Sequence, residues 1–233
     1  PFHMWTPDVY EGAPTPMTAF MAAAVKTAAF AVFLRLWMEA FPYLNAAWHK
    51  PLWYLAVVTM VVGNVVALAQ KNIKRMLAYS SIAHAGFILT GLTAPNRVGI
   101  RAALFYLVAY AMMTLGAFGV VMLVSARGEE QTSLSSYAGL ARRSPSLAAL
   151  MTLFLLSLAG IPPTAGFIAK VGVFGAAIRA GHWPLTVIGV VASVAAAFFY
   201  IRVIVLMYMQ EPRGTQEEDR SLLPRAAIAI PAV

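Results

Sequence analysis

The chain has 233 residues, 61% hydrophobic and 11% charged, with a formal net charge of +8 and no cysteine; its mean hydropathy is +0.74. One soluble core cannot hide that much apolar surface, so the composition describes a polytopic membrane protein. The lack of cysteine excludes disulfides, thiolate chemistry and cysteine-held metal or iron–sulfur centres in this sequence, and its Lys and Arg sit mostly in short loops, as membrane topology rather than nucleic-acid binding requires.

Residues 1–16, PFHMWTPDVYEGAPTP, are dense in proline, aromatic and acidic residues, which suits a helix end leaving the membrane and a tight connection. Trp5 and Tyr10 fit the interfacial belt, Asp8 and Glu11 are expected outside the core, and His3 reads as a polar residue near a helix end. The sequence opens without methionine inside a motif already under way, so it is expected to be a fragment of a longer chain. The next helix, 16–40, is alanine-rich, with Thr15 or Thr18 as its cap. Lys26 falls near its centre, about 15 Å from either end at about 1.5 Å per residue, where snorkelling is difficult. No acidic residue lies within a turn or two of it, and the plainer alternative is a lysine that reaches a headgroup or makes an accidental ion pair. Arg35 and Glu39 read as an i,i+4 pair.

A loop at 42–51 holds Trp48 and Lys50, which together with Trp53 serve as interface anchors, and is followed by a span at 52–70 in which Thr59 and Asn64 suit interhelix hydrogen bonds. Lys71, Asn72, Lys74 and Arg75 make a basic turn. A short span, 76–92, carries Ser80, Ser81 and, halfway along, His84. Histidine can relay a proton through its two ring nitrogens; a helix–helix hydrogen bond is the alternative. In the helix expected at 99–126, Tyr106, Tyr110 and Thr114 form an i, i+4, i+8 stripe that gains meaning only beside a row of titratable groups. The longest polar loop, 127–144, follows.

The apolar stretch 144–180 exceeds the roughly 20 residues that one helix needs to cross a bilayer core. Within it, 158–174 reads LAGIPPTAGFIAKVGVF, and Gly160, Pro162 and Pro163 must break the helix between 159 and 164. Irregular backbone at that depth survives only where protein buries it or a wet cavity meets it. Lys170 follows within about two turns, and an ammonium there costs about 2.5–3.5 kcal/mol on insertion scales. A broken helix beside a buried lysine reads as an ion path. A span at 184–209 has Arg202 near its end, expected to snorkel; 210–220 is a charged loop and 222–233 looks like the start of a further span.

Followed through alternate faces, one side holds Lys71, Lys74, Arg75, Arg127, Arg142, Arg143, Arg213, Arg220 and Arg225, and the other Lys50, Arg97, Arg101 and Arg179. The excess puts the first side in the cytoplasm. APTPMTAFMAAAVKTAAF and GIPPTAGFIAKVGVF both place Pro, Thr and Phe ahead of an intramembrane lysine, a faint echo of the kind left by structural repeats.

PFHMWTPDVYEGAPTP with Lys26, KNIKRMLAYSSIAHAGF and LAGIPPTAGFIAK together resemble the antiporter-like N-subunit family of the bacterial NADH-quinone oxidoreductase, respiratory complex I. The resemblance covers nearly the whole chain. It implies an all-α polytopic membrane protein, an antiporter-like helical bundle with inverted repeats and broken transmembrane helices. On that map, 1–40 is the end of the first repeat, 41–209 the second repeat of five transmembrane helices with its broken helix at 145–180, and 210–233 a loop and the start of a truncated last helix. By motif, Lys26 matches the family's central lysine, His84 the histidine of its SSIAH helix, and Lys170 the lysine of its second broken helix. These three are the expected proton-translocating residues, with Ser81, Tyr110 and Thr114 as a supporting polar path.

The implied activity is that of a membrane-arm subunit of an NADH-quinone reductase and translocase, multi-pass in the bacterial inner (plasma) membrane, carrying protons through half-channels. Its partners would be other membrane-arm subunits and the lipid bilayer, with no nucleic acid. No cofactor or metal is expected in this chain, since NADH, FMN, iron–sulfur clusters and quinone would act in other parts of the complex. The family also has a lysine and a glutamate upstream of the PFH motif, which would precede residue 1. Two alternatives stay open: a subunit of a multisubunit sodium/proton antiporter, and a scaffold that holds its neighbours.

Overall fold

A computed structural model describes residues 3–94, 96–125 and 130–211. Arg127 and everything beyond 211, including the expected last span, lie outside the described residues. Ten α-helices are described: α1 (Thr6–Gly12), α2 (Thr15–Phe20), α3 (Lys26–Arg35), α4 (Asn45–Leu68), α5 (Ile73–Leu92), α6 (Arg97–Val124), α7 (Leu140–Arg143), α8 (Pro145–Ala159), α9 (Ala165–Arg179) and α10 (Trp183–Met209). Among the described residues there is no strand, only an isolated bridge between Asn72 and Ser133. The described residues therefore form an all-helical bundle, with α8 and α9 as the two halves of its broken helix.

Four segments are long and apolar enough to cross a bilayer: Thr15–Arg35, Ala47–Leu68, Arg97–Val124 and Trp183–Met209. Helix α5 is different in kind. All its residues except Arg75 and Tyr79 are buried, so it runs through the protein interior and needs no apolar face toward lipid. Asn72 starts it by accepting from the backbone N–H groups of Lys74 (2.8 Å) and Arg75 (3.3 Å). Helix α4 lies against it at close range, because Gly63 faces the backbone of Ala83 and Gly86 faces that of Met60; a Cβ at either glycine would come within 2.7 Å of a backbone nitrogen.

Several elements differ from the sequence reading: helix α5 begins at Ile73 instead of residue 76, so Lys74 and Arg75 of the expected basic turn are helical. Helix α4 begins at Asn45, not after Pro51, and takes Pro51 into its interior. Packing accounts for the two extra turns, since Trp48 and Leu52 are buried and the Trp48 and Trp37 rings lie 4.9 Å apart. The segment expected as one helix at 16–40 is helical throughout but carries π turns at Met21–Val25 and Leu36–Ala40. Its exposed Arg35–Glu39 pair forms as expected, at 2.9 Å.

The bundle has two distinct ends. At one, Lys74 reaches Ala13 and Glu130, Arg202 reaches Leu68 and Gln70, and the Gly139 N–H reaches Leu206. At the other, His49 meets Thr93 and His182. These contacts sort the loops onto the same two faces as the alternating-face reading of the sequence.

Candidate functional site

The helix break is built by glycine chemistry. Helix α8 ends where Gly160 turns left-handed at φ +83°, with the Ile161 N–H bonded to Leu156 O (3.1 Å) and the Gly160 N–H to Ser157 O (3.0 Å). Pro162 and Pro163 follow, and Thr164 restarts the chain by capping Phe167 N from its side chain. The two halves cross at Gly166, where a Cβ would lie 1.8 Å from Ser157 O. The break thus falls between 159 and 165, where the sequence placed it.

The break leaves carbonyls at the end of α8 without helical partners, at the negative end of its dipole. Lys170, one turn into α9 and buried, fills that position. Its Nζ donates to Ala159 O (2.7 Å) and to Ser193 Oγ on α10 (2.6 Å), and sits 5.0 Å from the Phe87 ring centroid. Ser193 Oγ is also 3.5 Å from Ala159 O, so one hydroxyl can serve either the carbonyl or the amine.

Lys26 opens α3 directly after the π turn Met21–Val25, and such turns re-aim side chains and recur at functional sites. Its Nζ donates to Ser81 O (2.6 Å), bonds to Ser81 Oγ, and lies 3.4 Å from Tyr110 Oη and 4.6 Å from that ring's centroid. The amine therefore points into the bundle and not toward lipid, which disposes of the headgroup alternative.

His84 is held between tyrosines: Nδ1 is 2.7 Å from Tyr106 Oη and Nε2 3.3 Å from Tyr200 Oη, which pairs in turn with Ser80 Oγ. The Tyr110 ring lies 5.1 Å from the imidazole. Both ring nitrogens thus take part in helix–helix hydrogen bonding, the alternative that the sequence left open. From Lys26 to Ser81 and Tyr110 the polar groups are within hydrogen-bond reach, and Tyr110 meets His84 ring to ring. Between His84 and Lys170 stands Phe87, with its ring 5.8 Å from His84. Thr114 is buried one turn from Tyr110, and its side chain interacts with that of Tyr110.

Four residues in the site region, Tyr200, Ser193, Lys74 and Arg202, were missed or read otherwise from sequence. Tyr200 and Ser193 are two of the few polar groups on a largely apolar α10, and only the packing shows that they meet His84 and Lys170. Lys74, read as part of a basic turn, is fully buried: its Nζ donates to Glu130 Oε2 and to Ala13 O, both at 2.6 Å. The sequence clue was register, since Lys74 stands two helical turns before inward-facing Ser81. Glu130 also accepts from the N–H (2.7 Å) and hydroxyl (2.8 Å) of Thr15. Partial burial pushes its carboxyl up, but the bonds from Lys74 and Thr15 outweigh this and hold it below the usual carboxylate range. Beside it, Arg75 pairs with Asp8 (2.8 Å) and Glu11 (2.7 Å). Arg202 does not snorkel to headgroups; its guanidinium donates to Leu68 O (3.0 Å) and Gln70 O (2.5 Å), closing the end of α4. No group of three or more His, Asp or Glu side chains gathers into a metal centre among the described residues.

Comparison with known proteins agrees with this architecture. The family model for NADH:quinone oxidoreductase/Mrp antiporter transmembrane proteins matches residues 1–196. The NADH-quinone oxidoreductase subunit N of Rhodococcus opacus is 55% identical over 235 aligned positions, spanning 100% of this chain and 44% of the relative. A chain of respiratory complex I from Thermus thermophilus superposes with a TM-score of 0.86 at 39% identity, covering all of this chain and 51% of its own length. A chain of the Mrp complex from Dietzia shares the fold at 24% identity, with a TM-score of 0.84 over 91% of this chain and 39% of that one. The chain thus spans about half the length of the proteins it matches. With a matched family model, an all-helical bundle and a broken helix, the chain belongs to the NADH:quinone oxidoreductase/Mrp antiporter family of transmembrane proteins.

Proposed function

We propose that this chain is part of an antiporter-like subunit in the membrane arm of a bacterial proton-pumping NADH-quinone oxidoreductase, in the inner membrane. In it, Lys26, His84 and Lys170 hold and pass protons near the midplane. The observation that carries the reading is the Lys170 ammonium seated on the open end of α8. Burial favours a neutral amine and the exposed carbonyl dipole favours the ammonium, so a small change in nearby charge or hydration shifts the balance between them. When the amine loses its proton, Ser193 can turn its hydroxyl to Ala159 O, leaving the carbonyl satisfied. Lys26, supported by Ser81 and Tyr110, exchanges with His84. The Phe87 ring separates His84 from Lys170 until water bridges them, which makes that step the gated one.

On this reading, 1–40 ends a first repeat, 41–209 is a second, and the loop end with Lys71, Lys74, Arg75, Arg142 and Arg143 faces the cytoplasm. NADH, FMN, iron–sulfur clusters and quinone act in other subunits, and the drive reaches this chain as electrostatics or conformation. The test uses the purified complete complex in vesicles, with NADH-driven proton uptake measured with and without sodium. Uptake that needs NADH and quinone and is unaffected by sodium supports the proposal. Sodium-dependent exchange without quinone chemistry would assign the chain to a sodium/proton antiporter instead.

A further inference from the structure

Away from the lysine row, at the opposite end of the bundle from Lys74, three helix ends converge on two imidazoles. His49 lies in the second turn of α4, and its Nε2 is 2.8 Å from His182 Nε2 and 3.2 Å from Thr93 O. The rings are 4.4 Å apart, centroid to centroid. None of the three is placed casually. His182 follows a closed turn at the end of α9, where Gly181 is left-handed at φ +84°, its N–H bonds to Ile178 O (2.9 Å) and the His182 N–H bonds to Ala177 O (2.9 Å). Thr93 is the C-terminal cap of α5, with its hydroxyl tied to Thr90 O (2.7 Å). Trp48, beside His49, is buried against Trp37.

We propose that His49 Nε2, His182 Nε2 and Thr93 O form a binding site for a borderline divalent cation of the zinc type on the non-cytoplasmic face. Two imidazole nitrogens that face each other beside a carbonyl oxygen supply three donors of the kind zinc accepts, and water completes a tetrahedron. At a zinc–nitrogen distance of about 2.05 Å and a tetrahedral angle, the two nitrogens would stand about 3.3 Å apart. The pair therefore needs to open by only about half an ångström, with both rings in the tautomer that keeps the proton on Nδ1. The C-terminal ends of α5 and α9 both abut the site, and their partial negative charge favours a cation there. A bound ion would tie the start of α4 to the turn that joins α9, the helix of Lys170, to α10. The site rests only on the geometry of this end of the bundle and stands or falls apart from the proton path.

The test is equilibrium binding of radioactive zinc to the complete, assembled complex, comparing wild type with His49→Gln, His182→Gln, the double variant and Thr93→Ala. Quinone reduction by NADH certifies assembly of each. The double variant should bind one zinc fewer per complex than wild type, each single variant should bind that zinc at least tenfold more weakly, and Thr93→Ala, which keeps the carbonyl, should match wild type. Millimolar magnesium should not displace the ion, because a hard cation gains little from imidazole. Equal zinc binding by wild type and double variant at every concentration would overturn the site and leave the histidines as a hydrogen-bonded pair; so would ready displacement by magnesium. Loss of assembly in one histidine variant leaves the other to decide the same question.

Discussion

Gly160→Ala separates the geometry of the break from its mere presence. Alanine at φ +83° takes a left-handed conformation that costs about 1–2 kcal/mol. Its Cβ would also stand 2.8 Å from Lys170 Cδ and 3.1 Å from Nζ, so the lysine must move by about half an ångström to restore normal contact. That movement stretches the 2.7 Å bond to Ala159 O to the edge of the range of about 2.7–3.2 Å in which such bonds are strong. Misplacement of a reacting group by as little as about 1 Å can cost a hundredfold in rate, so a loss of about tenfold in proton translocation is expected. The control is Gly175→Ala, where an added Cβ meets nothing within 4 Å and a helical glycine is replaced at a gain of about 0.5–1 kcal/mol. The assay is NADH-driven proton uptake by the assembled complex, with thermal unfolding measured alongside. An assembled Gly160→Ala complex that pumps at the wild-type rate would refute the claim that Lys170 works from its seat on α8.

Glu130→Gln leaves the buried Lys74 ammonium with Ala13 O but no carboxylate, at a cost of about 3 kcal/mol, the lower end for a broken buried pair because Glu130 itself is 39% exposed. Since the carboxyl of Glu130 is held below its ordinary value, its stabilisation is present above the unfolded-state value and disappears as pH falls through the folded one; melting followed from neutral pH into acid should show that loss in wild type and a flatter profile in the variant. Phe87→Ala opens a cavity between His84 and Lys170, costing about 3–5 kcal/mol of stability, and water entering between those polar groups should raise passive proton leak in vesicles; an unchanged leak would show that Phe87 is not the barrier.

The helix break and both intramembrane lysines were legible in the sequence because proline, left-handed glycine and charge in an apolar run each carry a strong local cost. His84 was legible for the same reason. The partners of these groups were not. Ser193 and Tyr200 belong to α10, far from Lys170 and His84 in sequence, and although their seven-residue spacing from each other and from Thr186 puts three hydroxyls on one face, it does not say what that face meets. Phe87 reads in sequence as one more apolar residue, and its place between two titratable groups follows only from the packing of α5 against α9. Lys74 and Arg202 were misread for a related reason. A cation near a helix end is as easily drawn to a carboxylate or to open carbonyls as to water, and local sequence does not say which lies within reach.

The most direct measurement is the number of protons taken up per NADH oxidised by the complete complex carrying Lys170→Ala, Lys170→Arg or Lys26→Ala, with Arg35→Ala as the control because that residue is exposed and pairs with Glu39 on its own helix surface. Arginine keeps its charge but does not release a proton at physiological pH, so it should fail as alanine does. The expected result is normal assembly, a lowered proton ratio or rate in all three lysine variants, and wild-type behaviour in the control. Assembled Lys170→Ala and Lys26→Ala complexes that pump with the wild-type ratio and rate would contradict the lysine path and leave the chain as a scaffold.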